Sequence, residues 1–169
     1  MATKRPRFKV GETVFYPSAG VGVILAVEDI YLSGQVQSCF VIRIQDTQMT
    51  VKVPKSNLEK SGIRPLLDSK KLKELFKILS AKGKRRVTGG NWAERCKDIE
   101  RRINSGSCLE LGEVVRDLTR WKKQSGLSFE ESMLLETANS YLAREVAAVQ
   151  GIAPDDARVR ILSYIEERA

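Results

Sequence analysis

The residues in this chain best equipped for chemistry are aromatic and cationic. Trp92 opens the stretch Trp92-Ala93-Glu94-Arg95-Cys96-Lys97-Asp98-Ile99-Glu100-Arg101-Arg102, so Arg95, Lys97, Arg101 and Arg102 follow it closely. Lys82, Lys84, Arg85 and Arg86 lie just upstream among glycines. An indole can stack on a base or wedge between two, and lysine and arginine neutralise phosphates. If the stretch is a helix, its free N–H groups add a preference for anions. The set therefore suits a nucleic acid. The same spacing supports a second reading. Trp92, Cys96, Ile99 and Ile103 fall on one helical face, which is how a core stripe is written. Arg101 or Arg102 can equally pair with Asp98, and Glu94 can cap the helix.

Other chemistries are poorly provided for. The chain has no histidine, which removes the commonest general base and metal ligand. It contains no P-loop, dinucleotide glycine fingerprint or Gly-x-Ser-x-Gly elbow, so an enzyme is not expected, nor a cofactor or metal. Cys39, Cys96 and Cys108 are odd in number and widely separated, and read as small buried apolar residues. No apolar run approaches the roughly 20 residues that span a bilayer, and no signal-peptide core follows the first residues. A cytoplasmic protein with no membrane contact, a monomer, is the expectation. With 29 basic against 21 acidic side chains the net charge is +8, which favours a polyanionic partner.

Two kinds of element must position these residues. Up to about Leu66 the pattern is that of strands. Thr13-Val14-Phe15-Tyr16 stops at Pro17, and a glycine-rich strand runs from Gly20 to Val27. Ser33-Gly34 reads as a hairpin turn. Alternation puts Phe40, Ile42 and Ile44 on one face of the next strand. It then puts Met49, Val51 and Val53 inward and Thr50 and Lys52 outward. After Leu67 the period becomes helical. Ser69 is expected to cap a helix striped by Leu72, Leu75, Phe76 and Leu79. The Trp92 helix follows. Ser107-Cys108-Leu109-Glu110 and Ser128-Phe129-Glu130-Glu131 have capping-box spacing, and Gly151 and Pro154 punctuate the last two helices. The fold class is therefore α+β. A small SH3-like or Tudor-like β-barrel over residues 1–66 precedes an all-α bundle of about five helices over 67–169. The net charge is +4 over residues 1–66, +8 over 67–123 and −4 over 124–169, so the basic excess surrounds Trp92.

The order of several short strings is similar to the CarD/CdnL family of bacterial transcription regulators. They are Phe8-Lys9-Val10-Gly11-Glu12-Thr13-Val14, Tyr16-Pro17, Gly20-Val21-Gly22, Met49-Thr50-Val51-Lys52-Val53-Pro54 and Gly62-Ile63-Arg64. Asn91-Trp92, Glu113-Val114-Val115-Arg116-Asp117-Leu118 and Gly126-Leu127-Ser128 complete the set. Each is weak alone, but their order and spacing are specific. The resemblance implies a barrel that binds the RNA polymerase β subunit, with Ile30, Leu32 and Lys52 at the contact positions. Relatives can carry arginine where this chain has Ile30. A related module occurs in the transcription-repair coupling factor, whose translocase motifs are missing here. The resemblance further implies that Trp92 sits in the minor groove of promoter DNA at the upstream edge of the transcription bubble. There it would stabilise the open complex. Arg95, Lys97, Arg101, Arg102 and the Lys84-Arg85-Arg86 run would hold phosphates, and the polymerase would bring the protein to the nucleoid. Two other readings stay open: an architectural DNA binder acting without polymerase, and a protein-interaction scaffold in which Trp92 is core.

Overall fold

The computed structural model describes residues 8–17, 19–83 and 92–166; the side chain of Trp92 lies outside that description. The chain divides into two compact units, Met1–Leu66 and Leu67–Ala169.

The first unit is built on five strands, β1 (Thr13–Tyr16), β2 (Gly20–Leu32), β3 (Gln35–Ile44), β4 (Thr50–Pro54) and β5 (Arg64–Pro65). They pair in the order β4-β3-β2-β1-β5, antiparallel throughout. The sheet is not closed: the two outer strands, β4 and β5, are its edges. A 3-10 turn at Lys55–Asn57 and a short helix, α1 (Leu58–Ser61), interrupt what the sequence pattern reads as continuous β structure. One face buries Val14, Ile24, Phe40, Ile42, Ile44 and Val53, with Phe8 and Ile63 against them. Alternation accounts for most of this list. Met49 is the exception: it is 62% exposed, not inward. It precedes the first residue of β4, where the chain has just left the turn. Gly22 lets two strands meet closely, since a Cβ there would lie 2.7 Å from Ile42 Cγ2 and 3.1 Å from the Arg43 carbonyl.

β2 is longer than its glycine-rich start indicates. Its tip turns through Ser33 (φ 51°) and Gly34 (φ 80°), the two left-handed positions of a tight hairpin turn. A bulge falls between Ile24 and Ala26. Before it, Ile24 lies opposite Ile42 on the core face; after it, Val27 lies opposite Phe40 and Ala26 opposite Val41. The extra residue, Leu25, thereby exchanges the faces of every following residue in β2.

Five helices form the second unit: α2 (Ser69–Ser80), α3 (Trp92–Ile103), α4 (Cys108–Ser125), α5 (Phe129–Gln150) and α6 (Pro154–Glu166). Their apolar stripes meet in a core that includes Leu75, Leu79, Leu111, Leu118, Leu142 and Ile161. The start signals are partly as expected. Asp68, rather than Ser69, caps α2, its Oδ1 accepting from the Lys71 amide at 2.8 Å. A carboxylate at that helix end also favours the positive pole of the dipole. Ser128 and Glu131 form the full reciprocal box. Ser107 accepts from the Glu110 amide, but its own amide donates to Ser105 Oγ, so that box is only half formed. Gly151 ends α5 at φ 68°. On α6, Ile161 and Ile165 are buried and Leu162 is exposed. Cys39 and Cys108 are buried and Cys96 is half-buried.

Gly22→Ala should destabilise the protein by about 1–3 kcal/mol, the usual cost of forcing atoms into a packed site. Urea unfolding followed by circular dichroism checks this, and an unchanged midpoint would contradict the close approach of β2 and β3.

Candidate functional site

Trp92 is the first residue of α3. Its side chain, with Lys84, Arg85 and Arg86, lies outside the described residues. The rest of α3 is described. Cys96 and Ile99 are half-buried and Ile103 is buried, so one face of α3 does pack inward. Lys97 is exposed, and among the described residues it has no ion-pair partner. Arg95 is half-buried. Arg101 pairs with Asp98 on its own helix. Arg102 leaves α3 altogether: its Nη2 donates to Glu113 Oε2 on α4 at 2.6 Å, and the arginine side chain is only 17% exposed. The four cations of α3 among those predicted for phosphates are thus unequal, and Arg102 is spent on joining two helices. Its partner is the first residue of the Glu113–Leu118 string.

The remainder of that string fixes the end of α2. Arg116 Nη1 donates to the Ile78 carbonyl at 2.9 Å, and its Nε donates to Asp117 Oδ1 at 2.9 Å. Arg120, one turn on, donates to the carbonyls of Ala81 at 2.7 Å and Leu79 at 3.2 Å, and to Ile165 at 3.3 Å. The final carbonyls of a helix have no partner within it and carry its negative pole, so guanidinium groups are well matched to them. Burial, then the nearby Arg116 charge, pushes the Arg120 guanidinium below its ordinary pKa, while Asp117 acts the other way. Gly83 passes over this group so closely that a Cβ would collide with Asp117 Oδ1. Both borders of the 84–91 segment, the end of α2 and the body of α3, are therefore held by α4. The sequence signal was present as arginines recurring one turn apart within an apolar stripe, but only contacts reveal what they hold.

On α5, Phe129 is 79% exposed and Met133 is also exposed. Phe129 adjoins Glu130 and Glu131, whose carboxylates act on Cys96 of α3. Burial first, and those two charges next, push the Cys96 thiol up from its ordinary value, against the pull of Arg95. Cys96 is accordingly a neutral packing residue.

The sheet unit gathers the three residues predicted for a protein partner. Val41 lies opposite both Ala26 and Lys52, so Lys52 shares a face with Ala26, Glu28, Ile30 and Leu32. This is the face opposite the buried core cluster. Lys52 Nζ lies 3.1 Å from Glu28 Oε2, and both side chains are half-exposed. Ile30 is half-buried and Leu32 exposed. β1 pairs with β2 only as far as Val23 and β4 with β3 only as far as Cys39, so among the described residues no strand flanks the hairpin from Asp29 to Ser38. Its other face, which carries Phe40 and Ile42 further along β3, shows Tyr31 (74% exposed) and Val36. Such apolar exposure beyond a fold's own core marks a contact surface. Among the described residues no three His, Cys, Asp or Glu side chains gather to hold a metal, and no helix is long and apolar enough to cross a membrane.

A Tudor-like sheet domain followed by a helical domain is the architecture. The chain belongs to the CarD family, a transcription-factor family: residues 74–162 match its "CarD, C-terminal domain" and residues 8–67 match the "CarD-like/TRCF RID domain". It is 34% identical over 145 residues to a Bacillus subtilis (strain 168) protein named "Putative transcription factor YdeB", covering 86% of this chain and 94% of that one. Among solved structures, the 72-residue N-terminal domain of Myxococcus xanthus CarD is 25% identical, covering 37% of this chain and 84% of that one, with a TM-score of 0.31. CdnLNt from the same organism is 29% identical, covering 41% and 97%, with a TM-score of 0.33.

Asp117→Ala should cost about 3–5 kcal/mol, because it strands a buried guanidinium. The double change Arg116→Met with Asp117→Leu should cost less than the single one. Chemical denaturation of both variants measures this, and equal or reversed costs would contradict the pairing.

Proposed function

We propose that this protein regulates transcription from the polymerase. Its sheet unit binds the RNA polymerase β subunit, and its helical unit stabilises the open promoter complex by lodging Trp92 at the upstream edge of the bubble. The observation that carries the reading is the presence of both CarD-family domains, in order, on one chain. The first supplies a tether and the second a basic segment around a tryptophan.

The physics of such a device is simple. An indole at the junction of duplex and single strands occupies space the bases need to re-pair. Base–aromatic contact is worth about 1–3 kcal/mol, enough to lengthen the life of an open complex about five- to a hundredfold. Lys84, Arg85, Arg86, Arg95 and Lys97 would neutralise nearby phosphates without reading sequence. Arg101 and Arg102 would contribute less, since each already has a carboxylate partner. Tethering raises the local concentration of the wedge, so its affinity for free DNA need only be weak. On the sheet unit, Ile30 and Leu32 offer apolar area and Lys52 a charge that can exchange Glu28 for an acidic group on the polymerase. The protein acts as a monomer in this scheme.

Trp92→Ala should fold, retain polymerase binding and lose most of the five- to hundredfold gain in open-complex lifetime. Competitor-challenge decay of a polymerase–promoter complex measures it, and an unaltered lifetime sinks the wedge. Lys52→Glu places two like charges beside each other at Glu28 and should abolish retention of the β subunit in a pull-down. Retention at the unmodified level would remove that face from the interface. Tight duplex binding without polymerase would instead favour an architectural role.

A further inference from the structure

The outer face of α2 carries a row of cations that no role above uses. Lys70, Lys73 and Lys77 recur at spacings of three and four, so they project together, opposite the buried Leu75 and Leu79. At about 1.5 Å per residue the row extends over about 10.5 Å of helix axis. All three are exposed, and among the described residues none has an ion-pair or hydrogen-bond partner. That separates them from other cations of the helical unit. Arg101 is held by Asp98, Arg102 by Glu113, Lys123 by Glu166 and Arg158 by Glu136. Glu74 is the one acid on α2, at the border of the row, and Lys71 and Lys82 add further positive charge around it.

Three more observations narrow the partner. First, α2 is held rigid at its far end by Arg116 and Arg120, so the row keeps its shape. Second, no large hydrophobic residue of α2 is among the exposed ones, which leaves nothing to insert into lipid or to anchor a protein contact. Third, Lys73 and Lys77 edge a shallow cleft of about 500 Å³ floored by Phe76 and Tyr164. Those rings are stacked at 4.4 Å and 14°. A rigid, straight row of such point charges, whose aromatic neighbours Phe76 and Tyr164 are half-buried and stacked on each other, matches a repeating anion. Duplex DNA presents a charge about every 3.4 Å along each strand.

We propose that the Lys70-Lys73-Lys77 face of α2 is a second DNA-backbone contact surface, separate from the Trp92 helix, that binds duplex phosphates without regard to sequence. The inference rests on the helical unit facing DNA, as argued above, and adds where the duplex next to the wedge is gripped.

The test is binding of the full chain to a fluorescent 30-base-pair duplex over a low-salt series. Three proteins are compared: the unmodified one, Lys70→Gln/Lys73→Gln/Lys77→Gln, and the charge-matched control Lys9→Gln/Arg43→Gln/Lys60→Gln on the sheet unit. Each phosphate contact contributes about 0.9 to the log–log salt slope, so the α2 variant should have a slope shallower by about 2–3 and weaker binding to every sequence tried. The control should keep its slope, and all three should melt at the same temperature. A slope for the α2 variant equal to that of the unmodified protein overturns the inference while leaving the DNA-facing reading intact. An equal loss in the control overturns it as well, by showing an effect of net charge alone. Should the unmodified protein bind no duplex at low salt and fail to crosslink to promoter DNA in the polymerase complex, the DNA-facing reading itself falls and this surface with it. Loss of binding to phosphatidylserine vesicles with duplex binding unaltered would overturn the assignment to DNA.

Discussion

The helical unit depends on how α4 satisfies the carbonyls that α2 leaves open. A helix ending against a packed core faces a desolvation cost for its last C=O groups, and that cost is severe when water cannot reach them. Here two arginines from α4 reach back to Ile78, Leu79 and Ala81, and Asp117 balances the charge of the first. The group is buried, so each member needs the others: an arginine without its carbonyls, or an aspartate without its arginine, would be a stranded charge. The arrangement gives α2 only one position. One turn earlier, Glu113 takes Arg102 and sets α3 on the other side. Residues within a single helix thus place both borders of the basic segment and the helix that begins with Trp92.

This explains why Glu113-Val114-Val115-Arg116-Asp117-Leu118 stands out as a string. Val114, Val115 and Leu118 are core, and the three charged residues of the string are all engaged in holding neighbouring elements. None is a surface charge in the ordinary sense. The consequence for function is a division among the cations. Those bound to carboxylates or carbonyls are architectural, and those with no such partner among the described residues, such as Lys97 and the α2 row, are available to an anionic partner. Net charge by segment overstates the available charge because it counts both kinds.

In the sheet unit the deciding feature is smaller still. A single added residue at the bulge exchanges the faces of β2 beyond Ile24. Without it, Ile30 and Leu32 would continue the core side of the strand, away from Lys52. With it, they join Lys52 and Glu28 on the opposite side, and the tip presents Tyr31 and Val36 past the ends of its flanking strands. One inserted residue in one ladder creates the candidate partner face, in keeping with the usual role of bulges in re-aiming side chains.

The sequence by itself determined most element types, though not the 3-10 turn and short helix α1, and most of the core. Alternation in β3 and the helical stripes of α2, α4 and α5 are local properties, dictated by the pleat and the 3.6-residue turn. The Ser33-Gly34 turn and the Ser128 box were legible for the same reason, since the chemistry involved lies within a few residues. What lay outside its reach were relations between distant residues. Arg102 has an acid, Asp98, four positions away in its own helix, yet it bonds to Glu113, and only the packing of α3 on α4 makes that choice. Asp68 displaced Ser69 as a cap because a carboxylate one residue earlier fits the first turn. The bulge is invisible in the β2 string, since an extra residue in one strand is defined only against its partner. Local rules set each element; the pairing of elements, through buried charge and ladder register, decided which side chains remain free to bind.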